Sequence, residues 1–366
     1  MALMSRLLGS DDRSPSPSTV RTWLLRVGLY QLQGQLTKAD DWVWIVDHSV
    51  QIGQLKVMLI VGLRLSAWQR LDDKRLNYCD VELVALDPVR TSTGEVVDDQ
   101  LEKAISRTGL PSHIISDGGR DIHKGLSIFR KRHPAVSWTY DVKHKTAALL
   151  KRELERDKQW VEFAKTASVT KRAVYQTELA FCIPPTQRSK ARYMSADLLV
   201  VWGVKILDLL GSQQSKDDSL ELDRLGEKLG WVEEYREAIG RWQAAMKVIE
   251  CIETTVRHEG YHSSIRANIE SKLEAPPVGS LANRLQSELL EFVDQNAALA
   301  KEGEQLPGSS EVLESIFGKY KTLQGEATQF GVTAMVLSIG AMIGRVTVRT
   351  VQKGLETISA KTVSAW

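Results

Sequence analysis

The sequence predicts an α/β protein: a mixed five-stranded sheet flanked by helices and interrupted by a large all-helical insertion. Three observations point there. Five short runs rich in branched and aromatic residues lie between residues 42 and 142. Their connections change partway along, from strand–strand to strand–helix–strand. After Lys143 strand signals vanish for about 160 residues, and apolar residues recur at helical spacing. A chain of 366 residues accommodates one core carrying such an insertion, or about two domains.

In chain order, residues 1–18 are polar, with Ser and Pro alternating, and are expected to be loose. Ser18 can cap a helix with Val20, Trp23, Leu24 and Leu25 on its apolar side, which Gly28 would end. Arg21 and Arg26 fall on the polar side. Such a helix resembles the last helix of a helix-turn-helix, so residues 1–40 are read as a possible remnant of a DNA-binding region. A simple packing helix is the alternative. Trp42–Asp47 (WVWIVD) is the first strand, Lys56–Leu65 the second, and Val81–Val89 the third, stopped by Pro88. Short spacers suggest antiparallel hairpins. A helix over about 97–108 closes at Gly109 and Pro111. His113–Ser116 is the fourth strand, followed by a helix around Asp121–Lys131 and a fifth strand at Val136–Val142. Sites in sheets of this kind lie just beyond the carboxyl ends of strands, where Asp47 and Asp117 sit.

The first part of the core is expected over 41–150 and the helical insertion over 151–306. The insertion reads as text like LLKRELERDKQWVEFA, with breaks at Pro184–Pro185, Gly211–Ser215, Pro276–Pro277 and Pro307–Gly308. Residues 307–366 return to the core. A helix begins in SSEVLESIFGKYK, and a last apolar stretch is expected to pack as one or two helices.

Composition narrows the class. Apolar residues make up 43% and charged residues 26%, as in ordinary globular proteins rather than disordered or fibrous ones. The start lacks an apolar core long enough for a secretory signal. The stretches Val57–Leu63 and Val332–Gly344 fall short of the roughly 20 residues a membrane span needs, so no membrane role is expected. Three dispersed cysteines, Cys79, Cys182 and Cys251, argue against a disulfide framework and for a cytoplasmic setting. Net charge is only +2, but it is unevenly spread. From Arg120 to Arg192, 17 Lys/Arg stand against 7 Asp/Glu; from Lys216 to Glu304, 18 acidic residues stand against 11 basic. A basic block beside an acidic one suits a protein that meets a phosphate backbone with one face.

Three segments carry the chemistry: VDHSVQIG around Asp47, ISDGGRDIHKGL around Asp117, and SSEVLESIFGKYK around Glu314. Two aspartates end strands, and a glutamate lies on a helix after an insertion. Mg²⁺ takes oxygen ligands and keeps several waters, so one or two carboxylates per ion suffice. Two such ions about 4 Å apart can stabilise the attacking and leaving oxygens of a phosphoryl displacement. Asp47 is the expected bridging ligand, with Asp117 and Glu314 completing the sites. Asp121, one turn after Asp117, and Glu311, near Glu314, are the local alternatives.

On these residues the chain resembles the DDE transposases of bacterial insertion sequences. The matching text is WIVDHSVQIG, KVMLIVGL, IISDGGRDIHKGLSIF, YDVKHK and SSEVLESIFGKYK, spanning about Trp42 to Lys321. The resemblance implies a ribonuclease-H-like fold and Asp47, Asp117 and Glu314 as catalytic and metal-binding residues. It also implies two Mg²⁺ (or Mn²⁺) ions, cleavage at transposon ends and strand transfer into target DNA. A homodimer or higher oligomer on DNA and a nucleoid-associated place in a bacterial cytoplasm follow from the same analogy. A basic residue after the catalytic Glu contacts DNA in related families. Lys321, seven residues on, fits that role, with Lys319 second. Pro307 and Ser310 stand where some families carry Tyr and Arg, so no DNA-hairpin chemistry is expected. Lys124, Lys143, His144 and Lys145, with Arg21 and His123, are further candidate phosphate contacts.

Two rival readings remain. His258-Glu259-Gly260-Tyr261-His262 fits H-E-x-x-H, the zinc metallopeptidase pattern, and Cys251 could join its histidines in a structural zinc site. Gly260 weakens the helix that pattern needs. The other rival is a non-catalytic DNA-binding relative of transposases. The tryptophans are read mainly as core, with stacking on a distorted base as the lesser alternative.

Overall fold

The computed structural model describes residues 15–52, 55–186, 196–212, 219–324 and 334–366. The start at 1–14, and the Gly211–Ser215 break beyond 212, lie outside the described residues. Two compact units form, Met1–Asp141 with Leu306–Trp366, and Val142–Gln305. The second unit begins at Val142 rather than 151, because a helix starts directly after the fifth strand.

The first unit holds β1 (Trp42–Ile52), β2 (Leu55–Arg64), β3 (Glu82–Val89), β4 (His113–Ser116) and β5 (Ser137–Tyr140), in the order β3-β2-β1-β4-β5. The first three strands pair antiparallel, and β4 and β5 run parallel to β1. This is the ribonuclease-H-like arrangement, a mixed sheet flanked by helices and interrupted by helical residues. β1 runs further than expected because its register shifts between Asp47 and Val50, after which pairing with β2 resumes at Val57. A bulge of this kind bends a strand and re-aims its side chains.

Side chains alternate across the sheet. Trp42, Trp44 and Val46 of β1 share one face with Met58, Ile60 and Ile114. Onto that face pack α2 (Gly94–Thr108), through Val97, Leu101 and Ala104, and α3 (Arg120–Arg132), through Ile122, Leu126 and Phe129. Burying each such side chain contributes about 1.5–3 kcal/mol. The residues of opposite parity, Val43, Ile45, Leu59 and Val61, are also buried. Against the remaining side of the sheet lie α1 (Pro17–Gln33), α11 (Glu311–Gln324) and a 3₁₀ segment at Ala334–Met342. The C-terminal stretch continues as α12 (Val348–Thr357) and α13 (Ala360–Ala365) rather than as one or two longer helices.

Helix α1 differs from expectation at both ends. Ser16, not Ser18, is its cap, accepting from the Thr19 N–H at 3.2 Å. It also runs straight through Gly28. A Cβ there would lie 1.7 Å from the Leu337 carbonyl oxygen, and one at Gly340 would lie 2.7 Å from the Gly28 oxygen. Gly28 therefore serves a backbone-to-backbone crossing, not a helix end. Arg26 donates to the Leu355 and Ile358 carbonyls at the end of α12.

The second unit contains α4 (Val142–Arg156), α5 (Lys158–Val174), α6 (Ala196–Ser212), α7 (Ser219–Leu229), α8 (Arg236–Glu259), α9 (Ile265–Lys272) and α10 (Leu281–Ala297). Its core is aromatic. Phe163 is ringed by Trp160, Trp202, Trp231, Tyr235 and Trp242, with centroids 5.3 to 6.4 Å away. These tryptophans pack against one another as core residues.

Candidate functional site

The last paired positions of β1 and β4 are Val46 and Ser116, so Asp47 and Asp117 are the next residues on adjacent parallel strands. Neighbouring strands run about 4.8 Å apart, which sets the two backbones side by side. Val46 faces α2 and α3. By alternation Asp47 therefore leaves the opposite face, the one against which α11 packs. Asp117 also turns back on its own loop, with Oδ1 accepting from the Gly119 N–H at 3.1 Å. Gly118 has to be small there, since a Cβ would come within 2.4 Å of the Tyr140 ring. Burial first, then the negative charges of Asp117 and Asp141, pushes the Tyr140 hydroxyl's pKa up.

Helix α11 presents Leu313, Ile316, Phe317 and Tyr320 to the core, all nearly inaccessible to solvent. Glu314 is half-buried in its first turn. Glu311, the alternative, is within electrostatic reach of Arg75. Asp47, Asp117 and Glu314 thus belong to one side of the sheet. They do not converge in this conformation: among the described residues no group of three or more His, Cys, Asp or Glu side chains could hold a metal ion. The Asp47–Asp117 pair still suits a hard cation, since its donors are all oxygen and one or two carboxylates suffice.

Asp121 has a different job. It bonds Lys56 Nζ at 3.2 Å and lies 3.4 Å from His48 Nδ1. Burial alone would raise its pKa, but hydrogen bonds from Ser92 and Lys56 and the nearby His48 outweigh that and hold it below the usual carboxylate range. His48 is shifted down, first by burial and further by Lys56, against the pull of Asp121 and Asp117. This neutralised cluster lies on the α2/α3 face and braces the strand end from behind, leaving Asp117 as the acid on the other side.

The candidate phosphate contacts fall into several environments. Lys321 and Arg21 are exposed. Lys319 stacks over the Tyr78 ring, 3.3 Å from its centroid. Lys124 is paired with Glu95, so its charge is already partnered. Lys143, His144 and Lys145 open α4, where Lys145 lies over the Phe292 ring at 5.4 Å. His123 packs edge-on against Trp138 at 5.2 Å.

The H-E-x-x-H segment is not built as a zinc site. Helix α8 ends at Glu259, and Gly260 takes φ +71°, a conformation that L side chains rarely adopt and that does not continue the helix. The two histidines therefore do not stand on successive turns of one helix. Glu259 is occupied by Lys272 Nζ and Asn268 Nδ2, both at 2.7 Å. His262 Nδ1 meets Ser264 Oγ at 3.1 Å.

One residue at the site was missed in the sequence. Asp141 directly follows β5 as Asp117 follows β4, and its side chain holds Ser310 at the start of α11. The signal was present in the aspartate of YDVKHK, near the end of the expected fifth strand. The partner, in a segment far along the chain, was not legible.

No known protein family matches the sequence, and no curated protein does. Among solved structures the chain is similar to one described as the Drosophila P element transposase strand transfer complex. The TM-score is 0.39 and the identity 13%, over 90% of this chain and 84% of that one. Among the described residues no helix is long and apolar enough to cross a membrane.

Proposed function

We propose that the protein is a DDE transposase that cuts DNA at transposon ends and joins the freed 3′ ends to target DNA. One observation carries this reading. Asp47 and Asp117 directly follow the last paired positions of the adjacent parallel strands β1 and β4, on the sheet side where the Glu314 helix packs. Asp47 and Asp117, with Glu314, would hold divalent Mg²⁺ or Mn²⁺. When bound, such ions stabilise the attacking and leaving oxygens of an in-line displacement at phosphorus.

The chain's own residues do the rest. The bulge after Asp47 and the Asp117–Gly119 turn fix two carboxylates at the rim of the sheet. The apolar face of α11 fixes the third carboxylate to the same core. Exposed Lys321 and Arg21 supply charge for the DNA backbone, and Lys143, His144, Lys145 and Lys319 are lesser contacts. Lys124, held by Glu95, contributes least. Transposon-end pairing by two or more copies, and the lineage and bacterial setting implied by insertion-sequence enzymes, belong to the same proposal.

The test is Mn²⁺-dependent nicking of supercoiled plasmid DNA by the full chain. Asp47→Asn is expected to lower the rate by on the order of 10³-fold while DNA binding stays near wild type. Undiminished nicking in that variant would sink the proposal. Wild-type binding without any nicking would instead favour a non-catalytic DNA-binding relative.

A further inference from the structure

Asp141 is only 1% exposed, and the reaction proposed above does not use it as a ligand. Its Oδ2 accepts from the Ser310 N–H at 2.5 Å and from Ser310 Oγ at 3.0 Å. Its own N–H donates to the Ser116 carbonyl at 2.9 Å. A buried carboxylate is costly unless donors meet it. Here the donors come from the residue that opens α11, and the Ser310 carbonyl accepts from Leu313 N at 2.8 Å. The start of a helix favours a negative charge.

The position of this pair matters more than its strength. The chain leaves the first unit after Asp141 and returns to it at Leu306. Asp141 and Ser310 are 169 residues apart in sequence. They tie the exit strand to the helix that carries Glu314, one turn beyond Ser310 on a neighbouring position of the same face. On the other side, Tyr140 pairs with Ser116, the residue before Asp117. A continuous line of backbone pairing and hydrogen bonds therefore runs from Asp117 through β4, β5, Asp141 and Ser310 to Glu314.

We propose that Asp141 is a positioning residue, setting the register of α11 and so holding Glu314 on the side of the sheet that carries Asp47 and Asp117. The proposal rests on the metal-dependent reading above. A carboxylate that merely stabilised the unit would leave the placement of α11 and the turnover of folded enzyme unchanged when it is trimmed. A positioning residue acts on turnover and not on DNA affinity.

Two measurements on the full chain test it. The first is a distance distribution between nitroxide labels at Ser315 on α11 and Lys131 on α3, both exposed, with Cys79, Cys182 and Cys251 replaced. The second is kcat and KM for Mn²⁺-dependent plasmid nicking by the unlabelled enzyme. Asp141→Ala should broaden the distribution and lower kcat about 100-fold with KM for DNA unchanged. Asp141→Asn keeps an oxygen acceptor for both Ser310 donors and should restore both readouts. Should Asp141→Ala fail to fold, Ser310→Ala decides, since it loses only the hydroxyl bond; kcat should fall about fivefold.

A narrow distribution with undiminished kcat in folded Asp141→Ala overturns the proposal. So does Asp141→Asn behaving no better than Asp141→Ala, or unchanged kcat in Ser310→Ala if that variant must decide. A wild-type enzyme that does not nick removes the catalytic reading separately, and the label distances then judge the Asp141 clamp alone.

Discussion

The two units differ in how closely their backbones approach. In the first, a Cβ added at Gly28, Gly118 or Gly125 would fall 1.7, 2.4 or 2.5 Å from Leu337, Tyr140 or Val97. In the second, Gly226, Gly230 and Gly240 have nothing within 4 Å, and the helices are spaced by large aromatic side chains. The sheet unit thus brings its elements close at glycines, one of them Gly118 in the turn that carries Asp117. The helical unit is held by side chains that can readjust. The same contrast separates the two motifs. Asp47 stands on a paired strand and Asp117 directly after one, whereas the H-E-x-x-H segment runs off the end of a helix.

The largest stability effect should come from the tightest contact. Gly28→Ala is expected to cost about 3 kcal/mol or more, since its methyl meets a carbonyl that cannot move alone. A urea midpoint within experimental error of wild type would break the comparison, because it would mean that α1 and the 334–342 segment are free to separate.

Next comes acid sensitivity of the sheet. His113 is fully buried between Ser137 Oγ at 2.7 Å and Thr139 Oγ1 at 3.0 Å. Burial, helped by Arg130, pushes its pKa down to about 3. The unfolded chain therefore binds the extra proton first. Stability from this residue is complete above the ordinary histidine pKa of about 6.5 and is lost as pH falls from there toward 3, on the order of 1 kcal/mol per pH unit. Denaturant melts from pH 7 to pH 4.5 should show that slope, and His113→Gln, which cannot titrate, should flatten it. Equal slopes in the two proteins would show that His113 is not held neutral by the sheet.

The smallest effect sharpens the contrast from the other side. Gly240 lies within α8, exposed and uncrowded. Gly240→Ala should stabilise the protein by up to about 1 kcal/mol through helix propensity and a less disordered unfolded chain. Destabilisation would mean that the insertion is packed as tightly as the sheet.

Much of the sheet could be read from local pattern. Trp42–Asp47 and His113–Ser116 are short apolar runs that end in, or just before, a carboxylate, and such continuous runs mark strands buried on both faces. The antiparallel pairing of the first three strands followed from their connections. What could not be read depended on distant partners. Gly28 looked like a helix end because the reason for a glycine, termination or close approach, lies in what crosses it. The extension of β1 to Ile52 depends on a bulge, which shows only once strands are paired. Asp141 lay inside the expected fifth strand, and its bond to Ser310 joins segments on either side of the insertion. In the H-E-x-x-H segment the decisive signal, Gly260, was local and already weighed against a helix.

The most direct test of the central claim is an anomalous-difference map from crystals soaked in Mn²⁺, with wild type beside Asp47→Asn. The account predicts a peak flanked by Asp47 and Asp117 in the wild type that vanishes in the variant. Density at His258 and His262 with nothing at the aspartates, or aspartates that stay empty even with DNA bound, would contradict it.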